Sequence, residues 1–326
     1  MSRLHTPEPP VGVGFSFEGI VNNGAIACGV EAFGAYDEMR PGGLERAGMQ
    51  RIVDPKEFTS DIRESSPYQA FTLLRPLVAK AGDYLPVVQV ITAHPQLVLQ
   101  MIADPTNKEA FAPAIALYHE FKAAHPDDWQ AFGVGDGSFF YRERARLQAM
   151  GREGWEGLQS PYPDAVEELR ALAQTMELRA PDEFVRGFVP YFASSKDAAS
   201  IYSLCLKYAA EGRMARGDVE GEKCVISRSR ILDKSVGGGD KVVQLARIAE
   251  ELSIPRERVV RVDDRYDAKE VAALQDGGFP HVVVMEGGYV FPWDLDIARQ
   301  PDSGVLVLPR KGFAEQLAAA SQAWGL

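Results

Sequence analysis

Val11-Gly-Val-Gly-Phe-Ser-Phe17 is apolar and β-prone at most positions and stops at Glu18-Gly19, which makes it the first strong strand signal of the chain. A turn and then a helix over about residues 24–38 are predicted to follow. From there to about residue 157 the pattern is largely helical. Apolar residues recur at three-to-four spacing over Tyr84 to Ile102, Lys108 to Ala124 and Ser138 to Met150, with Pro and Gly in the gaps. Past Pro161-Tyr-Pro163 the rhythm changes. Short apolar runs at Phe188 to Ala193, Lys223 to Ile226, Arg258 to Val262, His281 to Val284 and Gly304 to Leu308 alternate with amphipathic segments at Asp164 to Gln174, Asp197 to Ala210, Lys241 to Leu252 and Ala268 to Asp276. Strand and helix in repetition predict an α/β protein, a Rossmann-like parallel sheet with helices on its faces. Because one strand stands at the start and the others follow the helical stretch, the sheet domain is discontinuous. It takes residues 9–22 and 158–326, on either side of a helical insert of residues 23–157.

The composition narrows the class of partner. At 326 residues the chain is long enough for two domains with a real core. Its 35 Lys and Arg against 46 Asp and Glu leave a net charge of −11, a field that repels nucleic acid and anionic membranes. A small phosphorylated molecule is still compatible, since a few local cations dominate a cleft whatever the total. Met1 to Pro10 is polar and Pro-rich, and no stretch approaches the roughly 18 apolar residues of a membrane span. Cys28, Cys205 and Cys224 are too scattered for a disulfide framework or a metal-binding pair. A cytoplasmic protein with reduced thiols is expected.

In open parallel sheets ligands sit beyond the carboxyl ends of the strands, so the residues that end each run matter most. Those are Ser16 and Glu18 after the first strand, Ser194-Ser195-Lys196 after the second, and Asp263-Asp264 with Asp267 after the Val-rich run at 258–262. Lys241 opens a helix just after Gly237-Gly-Gly239. Hydroxyls, lysines and a carboxylate cluster on one sheet edge are the parts of a magnesium-assisted phosphate site.

The order of these motifs resembles that of the haloacid dehalogenase superfamily over nearly the whole chain. The family's first strand ends in Asp-x-Asp-Gly, and Phe15-Ser-Phe-Glu-Gly-Ile-Val21 stands in that place. Val189-Pro-Tyr-Phe-Ala-Ser194 is similar to its second motif, with Ser195-Lys196-Asp197 behind it; Gly239-Asp-Lys241 to the third; and Val260-Arg-Val-Asp-Asp-Arg-Tyr-Asp267 to the fourth. Pro161-Tyr-Pro-Asp-Ala-Val-Glu-Glu-Leu169 resembles the family's return from cap to core, which makes the insert a helical cap by resemblance. The resemblance implies a phosphohydrolase in which Ser16, Glu18 and Lys241 hold the catalytic positions. It gives Ser194, Ser195 and Lys196 to the phosphate, and Ser16, Glu18, Asp263 and Asp267 to a weakly held Mg2+. In the family two aspartates at the first motif form the aspartyl phosphate and move the proton. Here Ser16 and Glu18 replace them, and a serine hydroxyl has no charge to bind magnesium and no neighbouring histidine to activate it. Impaired hydrolysis is therefore the leading expectation. The alternatives are a displaced mechanism, with Ser16 as nucleophile or water activated by Glu18, and a non-catalytic binding or structural protein.

Plainer readings exist for each residue. Asp263, Asp264 and Asp267 could cap the next helix, Ser194 and Ser195 could cap theirs, and Lys241 could be a surface lysine. Arg228 and Arg230 are further candidate cations, while Arg75 and Tyr141 to Arg144 face either a cleft or solvent. His94, His119 and His125 lack metal-ligand spacing and are read as structural or exposed.

Overall fold

The computed structural model describes residues 9–150, 154–180, 183–220 and 227–326. The chain divides into two compact units, one of residues 1–23 with 161–326 and one of residues 24–160.

The first unit is built on a six-stranded sheet among the described residues: β1 (Val11–Phe15), β2 (Phe188–Ala193), β3 (Ile231–Leu232), β4 (Val259–Asp263), β5 (His281–Met285) and β6 (Leu306–Leu308). Their order is β6-β5-β4-β1-β2-β3, and every pairing is parallel. This is the Rossmann-like α/β architecture that the alternating pattern predicts. β1 and β2 are buried at every position, as a sheet covered on both faces requires. The first strand in sequence is central in space, flanked by β2 through Val11 opposite Phe188 and by β4 through Gly12 opposite Val259. Its end at Ser16 is therefore bracketed by the ends of the two strands that carry Ser194 and Asp263.

Side chains alternate along β1, and the two faces have different coverings. Phe15 meets Phe313 edge-on at 5.9 Å, which docks the helix Phe313–Trp324 on one face. The other face carries Gly12 and Gly14 and is covered by the helix Lys241–Leu252. A Cβ on Gly14 would lie 2.5 Å from Leu245 Cδ2 and 3.2 Å from Ile248 Cδ1, so the missing side chain sets how closely that helix approaches. Gly14→Ala is expected to cost about 1–3 kcal/mol by overpacking, read as a lower denaturation midpoint at unchanged slope. An unchanged midpoint would mean that the helix has slack.

The second unit is helical. Its longer helices are α1 (Ala25–Met39), α2 (Ser66–Leu74), α3 (Tyr84–Ala93), α4 (Pro95–Ala103), α5 (Lys108–Ala124), α6 (Pro126–Gly133) and α7 (Phe139–Ala149). The helix expected over Tyr84 to Ile102 is two helices bent by 97° at His94, because Pro95 has no N–H to continue the ladder. Asp83 is a keystone of this unit: it is 1% exposed and accepts from the amides of Ala79 and Lys80 at 2.9 Å, from Lys122 Nζ at 2.6 Å and from Trp129 Nε1 at 2.8 Å. Among the described residues no single helix is long and apolar enough to cross a membrane.

One expected strand falls outside the described residues, and one ribbon is additional to the expected elements. The run at Lys223 to Ile226, with Cys224, lies outside the described residues; the strand beside β2 is Ile231–Leu232, a pair too short to show periodicity. An antiparallel ribbon of Glu177–Ala180 and Glu183–Arg186, which the sequence reading did not anticipate, precedes β2.

Candidate active site

Past Phe15 the chain turns sharply: Val21 and Asn22 both donate to Phe17 O, at 3.1 and 3.0 Å, and Gly19 N donates to Asn22 O at 2.9 Å. Gly19 has φ of +75°, and a Cβ there would be 2.5 Å from Asp264 Oδ2, so the turn needs glycine for both conformation and space. Arg310 clamps the turn from outside, donating to Gly19 O at 2.8 Å and stacking on Tyr162 at 3.7 Å from the ring centre.

The buried Ser16 hydroxyl donates to Asp263 Oδ1 at 3.2 Å and accepts from Arg261 Nη2 at 2.6 Å. Asp263 Oδ1 also accepts from the Asp264 amide at 2.8 Å, while Oδ2 takes Arg261 Nε at 3.0 Å and Nη2 at 2.5 Å. Burial alone would raise the Asp263 carboxyl, but the Arg261 guanidinium, the Asp264 hydrogen bond and the charges of Lys241 and Arg265 together outweigh it and hold the group far below the usual carboxylate range. Arg261 is fully buried and was not singled out from sequence.

Glu18 is spoken for by other partners. Its Oε1 forms a close ion pair with Lys196 Nζ, and Oε2 accepts from Asn22 Nδ2 at 3.0 Å. Asn22 Oδ1 in turn accepts from Tyr208 OH at 2.5 Å, and burial together with nearby Glu18 pushes that phenol up, so it stays protonated. Lys196, placed with the phosphate ligands from sequence, is thus an ion-pair partner of Glu18.

Lys241 reaches the same edge from the helix head, donating to Ala193 O at 2.7 Å. Burial, and after it the nearby Arg261 charge, lowers its ammonium pKa to about 8. Gln244, one helical turn on, is fully buried; its Nε2 lies 3.0 Å from each of Ser194 O, Leu232 O and Asp233 O, tying the ends of β2 and β3 to the helix. Ser194 Oγ accepts from the Lys196 amide at 3.1 Å, and Ser195 is exposed beside the loop at Gly239. Glu270 also comes near; burial and the adjacent Asp263 raise its carboxyl.

Ser16, Ser194, Lys241 and Asp263 therefore meet at one sheet edge, while other candidates do not join them. Asp267 is exposed and caps the helix Ala268–Asp276, its Oδ1 accepting from Lys269 N at 2.9 Å and Glu270 N at 3.3 Å; Asp264, at the nearer spacing, is the acid packed on Gly19. Asp197, rather than Ser194 or Ser195, caps the helix Ala198–Ala210, accepting from Ser200 N at 2.7 Å. Arg230 is buried against Met176 and Phe184, Arg228 is exposed, and in the helical unit Arg144 forms a bidentate pair with Glu31 at 3.0 and 2.9 Å.

Several solved structures are similar to the chain over almost its full length. A haloacid dehalogenase-like family hydrolase from Streptococcus pneumoniae is 10% identical, with a TM-score of 0.46, covering 95% of this chain and 98% of that one. A protein described as a predicted phosphatase from Clostridium acetobutylicum is 11% identical at a TM-score of 0.46, over 96% and 100%. A HAD family hydrolase from Deinococcus radiodurans R1, solved with bound phosphate and sodium, is 14% identical at 0.38, over 97% and 96%. The chain resembles haloacid-dehalogenase-type hydrolases. No protein-family model matches the sequence, and no curated protein matches it. The likeness is one of chain course, and the fold stated above rests on the strand order itself.

Magnesium in such a site needs hard anionic oxygens with lone pairs to spare. Asp263, Glu18 and Ser16, to which the resemblance gives it, do not fit it. Both oxygens of Asp263 are engaged by protein donors, both of Glu18 likewise, and position 16 offers a neutral hydroxyl that already accepts from a guanidinium. Among the described residues no group of three or more His, Cys, Asp or Glu is arranged to hold a metal ion.

Proposed function

We propose that this chain uses a phosphohydrolase-type scaffold to bind a small phosphorylated molecule at the β1–β2–β4 edge, and that it does not hydrolyse it through a covalent intermediate. The observation that supports this most is the bonding of Ser16. Its hydroxyl would need a base to become a nucleophile, and the carboxylate it donates to, Asp263, is held so acidic by Arg261 and the neighbouring donors that it is a very weak one. Water activated by Glu18 has less support, since Lys196 and Asn22 already occupy that carboxylate. Lys241, whose ammonium keeps donor capacity beyond Ala193 O, and the hydroxyls of Ser194 and Ser195 supply the ligand contacts in this reading. The buried thiols of Cys28 and Cys205 go with a reducing, cytoplasmic setting.

Calorimetric titration with sulfate, alongside p-nitrophenyl phosphate turnover, tests the proposal. Saturable sulfate binding with hydrolysis at background is expected. Turnover of about 1 per second or faster, abolished by Ser16→Ala, would refute it.

A further inference from the structure

An arginine in the middle of a parallel strand is costly, since several kcal/mol of hydration is lost unless its donors are matched. On β4, Arg261 stands opposite Gly14 of β1, and its side chain reaches across that glycine to the far neighbour β2. Every N–H of the guanidinium finds an acceptor: Nη1 donates to Gly14 O at 3.2 Å and Ala193 O at 3.4 Å, Nη2 to Ser16 Oγ and Asp263 Oδ2, and Nε to Asp263 Oδ2. Arg261 and Asp263 are two apart on one strand and so share a face. The positive charge is thus fixed between the ends of β1, β2 and β4, bonded to the acid and the hydroxyl that the resemblance assigns to a metal.

We infer that the Arg261 guanidinium is a built-in replacement for a divalent cation, so that Asp263 is neutralised within the protein and the pocket takes no divalent metal. Having no N–H to spare, Arg261 does not contact a ligand; it is a positioning residue that sets the charge and geometry of Ser16 and Asp263. The inference stands whether or not an oxyanion binds, because it concerns the pocket without one.

The test uses the full chain in phosphate-free buffer. Mn2+ is titrated into the unaltered protein and Asp263→Asn, with free Mn2+ read by electron paramagnetic resonance, and both are melted without metal. No saturable Mn2+ binding is expected in either, and Asp263→Asn should lower the Tm by about 6 °C or more, because it strands a buried guanidinium. If Asp263 were instead a metal ligand, the unaltered chain would bind one Mn2+ that Asp263→Asn removes, and the substitution would leave the metal-free Tm unchanged or raised; either result overturns the inference. Should Asp263→Asn fail to fold, Arg261→Met with Asp263→Asn is the control. Removing both charges should restore folding, and a pair no more stable than the single variant counts against the inference.

Discussion

Asp83→Ala is expected to lower unfolding stability by about 3–5 kcal/mol, the largest loss we predict for the helical unit. The carboxylate holds four donors from three segments: the backbone at Ala79 and Lys80, Lys122 of α5 and Trp129 of α6. Truncation leaves two amides and an indole N–H to be satisfied by water that the packing largely excludes. Burial would raise this carboxyl, but Lys122, Trp129 and the amides outweigh it and lower its pKa. A depressed folded pKa means that the contribution is complete above the ordinary aspartate value and is lost as pH falls through the folded one. Urea denaturation followed by circular dichroism should therefore show the two proteins converging at acid pH. A loss below about 1 kcal/mol at neutral pH would show that the network is dispensable.

For the candidate site, Lys241→Met should weaken sulfate binding about tenfold to a hundredfold, the worth of one charge-assisted hydrogen bond. With the ammonium lowered to about 8, affinity in the unaltered chain should be constant below neutrality and fall as pH rises past that value, while the Met variant gives a flat profile. Sulfate does not titrate in this range, so the slope belongs to the protein. A pH-dependent affinity that survives Lys241→Met would move the ligand elsewhere.

The sheet was legible because its strands are buried on both faces and therefore read as Val-rich runs, and the site because parallel strands deliver their ends to one edge. Spacing alone could not place Asp267: past the last strand residue the period of two no longer holds, and the side chain turned to cap a helix. Gln244 left no trace in sequence, since a polar residue three positions after Lys241 reads as ordinary helix surface. Arg261 did leave one. A charge inside Val259-Val-Arg-Val262 breaks a continuous apolar run, and such a break marks a buried ion awaiting its partner.

The central position of β1 also bears on how the chain is made. Both of its neighbours arrive late, Val11 aligning with Phe188 and Gly12 with Val259. At translation rates of about 5–20 residues per second, β1 waits roughly 9–35 s for the first of them. The helical unit, closed within residues 24–160, has time to fold meanwhile. A waiting apolar strand invites wrong partners, and glycine is scarce in the segments that aggregate most readily. Gly12 and Gly14, which let a helix dock in the finished fold, also make the nascent strand a poor template for a neighbouring chain on the same polysome.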